Sequence, residues 1–167
     1  MSKKVERNYL EINSIQELNE PNNLESDLVI ELVQPYNFQL NKFFYKKIGK
    51  SHHWVDRLVW TDKNWTEYTT DKKVKTFIIK KNDDLAGYFE LIFHKEPNEV
   101  EIAYLGLLEE YQNKKIGSFL LSSAIKKAFR ENPNRVWVHT CSLDHKNALK
   151  NYMARGMKIY KKETIYV

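Results

Sequence analysis

The sequence predicts a mixed α/β fold of the α+β type, a mostly antiparallel central sheet flanked by helices. Three observations carry this. Residues 74–80 and 85–94 are β-rich runs joined by the polar turn KNDD, and Pro97-Asn98 leads into a third run, residues 100–108. That run is followed by EEYQNKK, which holds no apolar aliphatic. Ile116, Phe119, Leu120, Ala124 and Ala128 then recur at helical spacing until Asn132-Pro133 stops the pattern. Finally, residues 135–141 read as a strand, 145–155 as a helix and, past Gly156, 157–167 as a last strand. A β-meander feeding β-α-β-α-β makes a sheet with helices on its faces.

The front half is less regular. Residues 1–26 read as a polar N-terminal extension, with an added strand at 9–12 and a short helix around 14–18. Residues 27–33 (DLVIELV) form a strand ended by Gln34-Pro35. Residues 37–48 set Phe38, Phe44, Tyr45 and Ile48 near helical spacing, with Gly49 as the stop. After the loop KSHHWVDRLVWT a second helix starts at Thr61 or Asp62, with Trp65 and Tyr68 inward. No repeat, low-complexity stretch or linker interrupts the chain, so a single domain over residues 1–167 is expected.

The 42% hydrophobic and 29% charged fractions are those of a globular protein with a real core. No apolar run approaches the roughly 20 residues of a membrane helix, and the opening MSKKVERNYLEIN lacks the core of a signal peptide. A lone cysteine, Cys141, excludes an internal disulfide and fits a reducing compartment, so a cytoplasmic setting is expected. Charge is uneven. Residues 1–34 carry three Lys/Arg against seven Asp/Glu, a net −4, and residues 35–167 carry 24 against 15, a net +9. A basic body implies either an anionic partner or a solvated Lys-rich surface. Nucleic acid finds no stacking motif or recognition helix here, and no membrane partner is expected.

Chemistry concentrates between residues 100 and 130. A strand, a polar turn and a helix leave the helix's first N–H groups facing open space, an anion site by construction. Glu101 sits inside the apolar run VEIAYLGL, where a carboxylate is costly unless paired or given a task. A neighbouring Lys or Arg would explain it structurally, and a general base would explain it functionally.

These residues resemble the GNAT-type N-acetyltransferases. The family's turn, Arg/Gln-x-x-Gly-x-Gly/Ala, is matched by Gln112 and Gly117, with Lys115 in place of the first glycine. Its closing helix, Asn-x-x-Ala-x-x-x-Tyr-x-x-x-Gly-Phe, is matched by Ala148, Tyr152 and Gly156, with His145 and Met157 substituted. The likeness is good over residues 74–166 and looser over 28–70. It is greatest to an uncharacterised bacterial branch with a similar Tyr/Trp/Arg-rich front segment and a VHTCxLDH strand end.

The resemblance implies acetyl-CoA as cosubstrate, no metal, and transfer of acetyl to a small-molecule or peptide amine by direct attack in a ternary complex. Coenzyme A would be held by Leu105, Leu107, Gln112, Asn113, Lys114, Lys115, Ile116, Gly117, Ser118 and His145. Glu101 would be the base and Tyr152 the acid that protonates the leaving thiolate. Leu107 N–H would polarise the thioester carbonyl, and Gly106 would mark a bulge or splay where pantetheine pairs as an extra strand. Trp54, Arg57, Glu90 and Tyr104 would face the acceptor, Arg57 reading a carboxylate and Glu90 standing as the alternative base. A monomer or homodimer is expected. The rival reading is a non-catalytic acyl-CoA-binding module, suggested by Lys115 and His145. His139, Cys141 and His145 lack a second ligand pair at metal spacing, and Cys141 as acyl carrier would need an adjacent base that amine attack does not.

Overall fold

The structure, a computed structural model, describes residues 1–22, 27–112 and 115–167. Its strands are β1 (Lys4–Ile12), β2 (Leu28–Leu32), β3 (Val74–Lys81), β4 (Asp84–His94), β5 (Glu99–Leu107), β6 (Arg135–Cys141) and β7 (Lys158–Tyr166). Its helices are α1 (Phe38–Gly49), α2 (Asp62–Thr70), α3 (Ile116–Phe129) and α4 (Ala148–Ala154). The strands form one sheet in the order β2-β3-β4-β5-β6-β1-β7, antiparallel at every step except β5 against β6. The expected mixed, mostly antiparallel sheet with flanking helices is therefore present.

The first strand is the main departure from the sequence reading. Instead of four residues in an extension, β1 runs for nine and lies inside the sheet, between β6 and β7. Leu10 and Ile12 are fully buried and sit opposite Val138 and Val136. Its polar residues hid it, and they have partners: Tyr9 Oη donates to Glu163 at 2.7 Å and Arg7 pairs with the same carboxylate at 3.3 Å. Beyond Val5, which is buried at the strand's start, one face is core and the other is a paired polar surface.

The sheet's two faces are covered differently. On one, α3 buries Ile116, Leu120, Leu121, Ala124, Ile125 and Ala128 against the strands, a continuous apolar stripe at helical spacing. On the other, α1 and α2 cover only the β3–β5 half. Phe44 stacks on Tyr88 at 5.0 Å, and Trp65 meets Tyr45 edge-on at 5.8 Å. The second helix is fixed by a capping box, with Thr61 and Asn64 each satisfying the other's backbone N–H. Over β6 and β1 that face stays open, and the site lies along the boundary.

Candidate active site

The sheet opens at its one parallel seam. β5 and β6 pair only from Glu99↔Arg135 to Glu101↔Trp137; beyond that they diverge, and the rest of β5 has no strand on that side. Leu108 N donates to Ala86 O at 2.8 Å, and Leu107 stands opposite Gly87. By the alternation of an antiparallel ladder, Leu107 N–H therefore points away from β4, into the gap. The gap is the floor of a cleft of about 850 Å³, lined among others by Leu105, Leu107, Tyr104, Gly117, His145 and Tyr152.

A bulge decides which side chains share the cleft. Glu90 pairs with Tyr104 and the next residue, Leu91, pairs with Ile102, which leaves Ala103 as the extra residue on β5. Glu101 stands opposite Ile92, two residues from Glu90, so Glu101 and Tyr104 fall on one face although three apart. The bulge is thus at Ala103 and not at Gly106, which pairs with Tyr88 in the regular ladder. Gly106 serves packing instead, since a Cβ there would come within 2.8 Å of Ile48 Cγ2 and 3.4 Å of Trp54 Cη2.

Glu101 lines the cleft with its side chain 19% exposed, and its Oε1 lies 3.1 Å from His94 Nε2 on the neighbouring strand. Trp137, His139 and Cys141 share its face on β6, and Arg7 on β1 sits opposite Cys141. Burial lowers the His139 pKa, and Arg7 adds to this against the carboxylates of Glu101, Asp144 and Glu163. Burial pushes the Cys141 thiol up, away from the thiolate that nucleophilic work requires.

The other end of the cleft is the start of α3. Its N-cap, Lys115, makes no side-chain cap bond, so the helix's first N–H groups keep their capacity for an anion. Lys115 is in the left-handed region, φ 63°, a conformation that favours the glycine usual at this place. Gly117 has the opposite character. Among the described residues a Cβ there would meet nothing nearer than Asn151 Nδ2 and Leu107 Cδ1, both at 3.9 Å, so these leave that space free. Lys115, Lys150 and Arg155 bring positive charge to the walls of the cleft. Arg155 Nε and Nη1 are buried without a protein partner, and burial alone lowers its pKa. An unbalanced cation, an open helix N-terminus and an empty Cβ position along one cleft fit a phosphate-bearing ligand. Gln112 Nε2 donates to Leu107 O at 3.1 Å and ties the turn to β5, and Ser118 lines the cleft. The Ile116 side chain is 1% exposed and belongs to the core. Asn113 and Lys114 lie outside the described residues.

Tyr152, on α4, is 8% exposed and lines the cleft, and its hydroxyl has no hydrogen-bond partner among the described residues. Burial raises its pKa, and the Asp144 charge adds to this, so the phenol holds its proton. Asp144 is a structural carboxylate. It accepts from Thr140 Oγ1, from Cys141 N at 3.0 Å and, through Oδ1, from Trp54 Nε1 at 3.4 Å. This last bond, with the His52 and His145 rings 5.9 Å apart, brings the loop after α1 against the turn before α4. Trp54 also packs edge-on against Tyr104 at 4.7 Å.

Two expected acceptor contacts take other roles. Glu90 has no exposure and does not line the cleft. Its carboxylate accepts from Arg57 Nη1 at 2.9 and 3.2 Å, Asn41 Nδ2 at 2.8 Å and Tyr68 Oη at 2.6 Å. Arg57 is 7% exposed, with its Cζ 4.2 Å from the Tyr68 ring centroid, 4.4 Å from Tyr104 and 4.6 Å from Trp60. Burial works against its charge, but Glu90 and the surrounding tyrosines outweigh it and raise the guanidinium pKa. Arg57 touches the cleft wall, yet its charge is already answered. Sequence reasoning missed this pairing because its members lie 33 residues apart, and missed His94, which reads only as the end of a strand.

Among the described residues no three His, Cys, Asp or Glu side chains converge as metal ligands, and no helix is long and apolar enough to cross a membrane. The model of the acetyltransferase (GNAT) family matches residues 30–157. A GCN5-related N-acetyltransferase from Sphaerobacter thermophilus superposes with TM-score 0.73 at 14% identity, over 99% of this chain and 52% of that one. One from Kribbella flavida gives 0.69 at 12% identity, over 96% of this chain and 56% of that one. This chain therefore spans about half the length of either. An aminoglycoside acetyltransferase from an uncultured soil metagenomic sample gives 0.64 at 13% identity, over 78% of this chain and 88% of that one. A comparison with the curated proteins gives no match.

Proposed function

Since the chain belongs to the acetyltransferase (GNAT) family, we propose that it is an N-acetyltransferase that moves an acetyl group from acetyl-CoA to a primary amine by direct attack in a ternary complex. The observation that carries this is the splay of β5 from β6, which ends at the uncapped start of α3 and runs past Glu101 and Tyr152. The residues fit the cosubstrate. The N–H groups of α3, Gly117, Lys115 and Arg155 would hold its phosphates, and the free edge of β5 at Leu105 and Leu107 would hold its pantetheine arm. His145 and Ser118 line the same path.

When bound, acetyl-CoA supplies a thioester carbonyl open to attack by an amine. Glu101 takes the proton that an ammonium must lose before its nitrogen is nucleophilic, directly or through one water. Its bond to His94 orients the carboxylate. Leu107 N–H is a donor free for the carbonyl oxygen. Tyr152 keeps a proton at its hydroxyl for the departing sulfur. We propose further that residues 1–167 make one acyl-CoA N-acyltransferase domain, acting in the cytoplasm as a monomer or homodimer. The joining of both ends of the chain in one sheet through β1 and β7 supports the first point.

Thermal unfolding with and without acetyl-CoA is the first test. A rise in Tm at saturating ligand is expected, because a ligand held only by the folded state stabilises it; no shift at millimolar acetyl-CoA removes the reading. Thiol release across a panel of amines is the second. Ligand binding without amine-dependent thiol release leaves a non-catalytic acyl-CoA-binding module.

A further inference from the structure

Charge is sorted along the cleft. Lys115, Lys150 and Arg155 line the end at α3 and α4. At the other end the cations are spent: Arg7 is paired with Glu163 at 3.3 Å and Arg57 with Glu90 at 2.9 Å. His52, His53 and His139 line the cleft and His94 meets Glu101; two of these imidazoles, His52 and His139, are held toward the neutral form. Burial lowers the His52 pKa, with His145 adding to this against Asp144, and burial lowers His139 as well. Among the described residues three carboxylates line the cleft; Asp144 is tied to Thr140, Cys141 and Trp54, and two remain. Glu101 has only His94 as partner, and Asp56 has no hydrogen-bond or ion-pair partner among the described residues.

These carboxylates flank an aromatic wall. Tyr104 shares a face with Glu101, about two strand steps on, or roughly 7 Å. Asp56, two residues after Trp54 in the same loop, lines the cleft with Trp54 and Tyr104. Trp54 and Trp60 line the same end. Asp56 is held there by its neighbour, since Arg57 N donates to Tyr45 Oη at 2.9 Å and the Arg57 side chain is locked to Glu90. One carboxylate is needed to take the reacting proton. The second is a free anion on an aromatic surface, which suits a cation.

Building on the N-acetyltransferase reading, we infer that the acceptor is a small di- or polyamine, with its reacting nitrogen at Glu101 and a second cationic nitrogen at Asp56 and the Trp54–Tyr104–Trp60 wall. A carboxylate-bearing acceptor, such as an amino acid, would meet two anions and, among the described residues of that end, no unpaired Lys or Arg, and is disfavoured.

Three acceptors of matched length separate these cases: butylamine, 1,4-diaminobutane and 4-aminobutanoate. Measured as kcat/KM from thiol release, the diamine should exceed butylamine by up to about fivefold, the return of one partly exposed ion pair, and the amino acid should be slowest. In Asp56→Asn the ratio of diamine to butylamine should fall toward one, with the acetyl-CoA Tm shift intact. Calorimetric titration of 1,4-diaminobutane into the protein with coenzyme A gives a readout independent of turnover. Binding that weakens in Asp56→Asn and at high salt is expected. No binding to the wild-type protein, a preference for 4-aminobutanoate, or an unchanged ratio in Asp56→Asn each overturns the inference. Absence of an acetyl-CoA shift in the wild-type protein would instead sink the underlying reading.

Discussion

Glu90 and Glu101 stand on paired strands, on the same face of the sheet, and could hardly be treated more differently. Glu90 has no exposure and receives hydrogen bonds from Arg57, Asn41 and Tyr68. Glu101 has one partner, His94, and an open side toward the cleft. The difference is made by what lies above them. Over Glu90, α1, α2 and the loop between them close the face with Tyr45, Trp65 and a cation. Over Glu101 that cover has ended, and β6 has already turned away. A carboxylate whose lone pairs are all taken is scaffold; one with unused capacity in a cleft is available for chemistry.

The comparison breaks most visibly on the sealed side. Arg57→Ala would leave the Glu90 charge buried without its cation, and loss of one partner of a buried pair costs about 3–5 kcal/mol. Urea denaturation should show that loss, and an unchanged midpoint would mean that Glu90 is not held as described. The double variant Arg57→Met, Glu90→Gln should recover a large part of it, because an uncharged pair has no such penalty.

On the open side the effect should be on rate alone. Glu101→Gln keeps size and hydrogen bonding but cannot take a proton. It should lower kcat/KM at pH 7 about a hundredfold, the lower range of general-base contributions, with stability within about 0.5 kcal/mol of wild type. Full activity in Glu101→Gln would remove it as the base. The far end of the cleft offers the same dissociation. At Gly117 the nearest side chains to a Cβ among the described residues are 3.9 Å away, so Gly117→Ala should keep or gain stability, by up to about 1 kcal/mol as glycine leaves a helix. Acetyl-CoA affinity should fall about tenfold if the ligand's backbone contact needs that space. Unchanged affinity would move the phosphates elsewhere.

The strand–turn–helix unit was legible because each part carries its own local signal: β-branched run, polar turn, helical spacing ended by Pro133. β1 was not, because Val5 and Leu10 are buried at positions of opposite parity and so break the period-two pattern. The choice between Glu101 and Glu90 was closed to sequence for a related reason. The bulge at Ala103 shifts parity within β5, and nothing in EIAYLGL announces it. Arg57 looked like a free cation in a loop, since the partner that neutralises it comes from a distant strand.

The smallest effect concerns the two imidazoles at the boundary between sealed and open faces. Burial lowers the pKa of His52 and of His139. Well above a pH of about 6.5 both are neutral in folded and unfolded chains alike. As pH falls toward and below that, the unfolded chain takes up protons first and is stabilised by them, so folded stability declines until the lowered folded values are passed. The expected outcome is a lower Tm at pH 5.5 than at pH 7.5, with the difference reduced in His52→Gln and further in the His52→Gln, His139→Gln variant. Other groups titrate across this range, so the reduction in slope, not the slope itself, is the measurement. A double variant with the wild-type slope would mean that neither ring is held neutral by the fold, and the cationic silence of the acceptor end would lose that support.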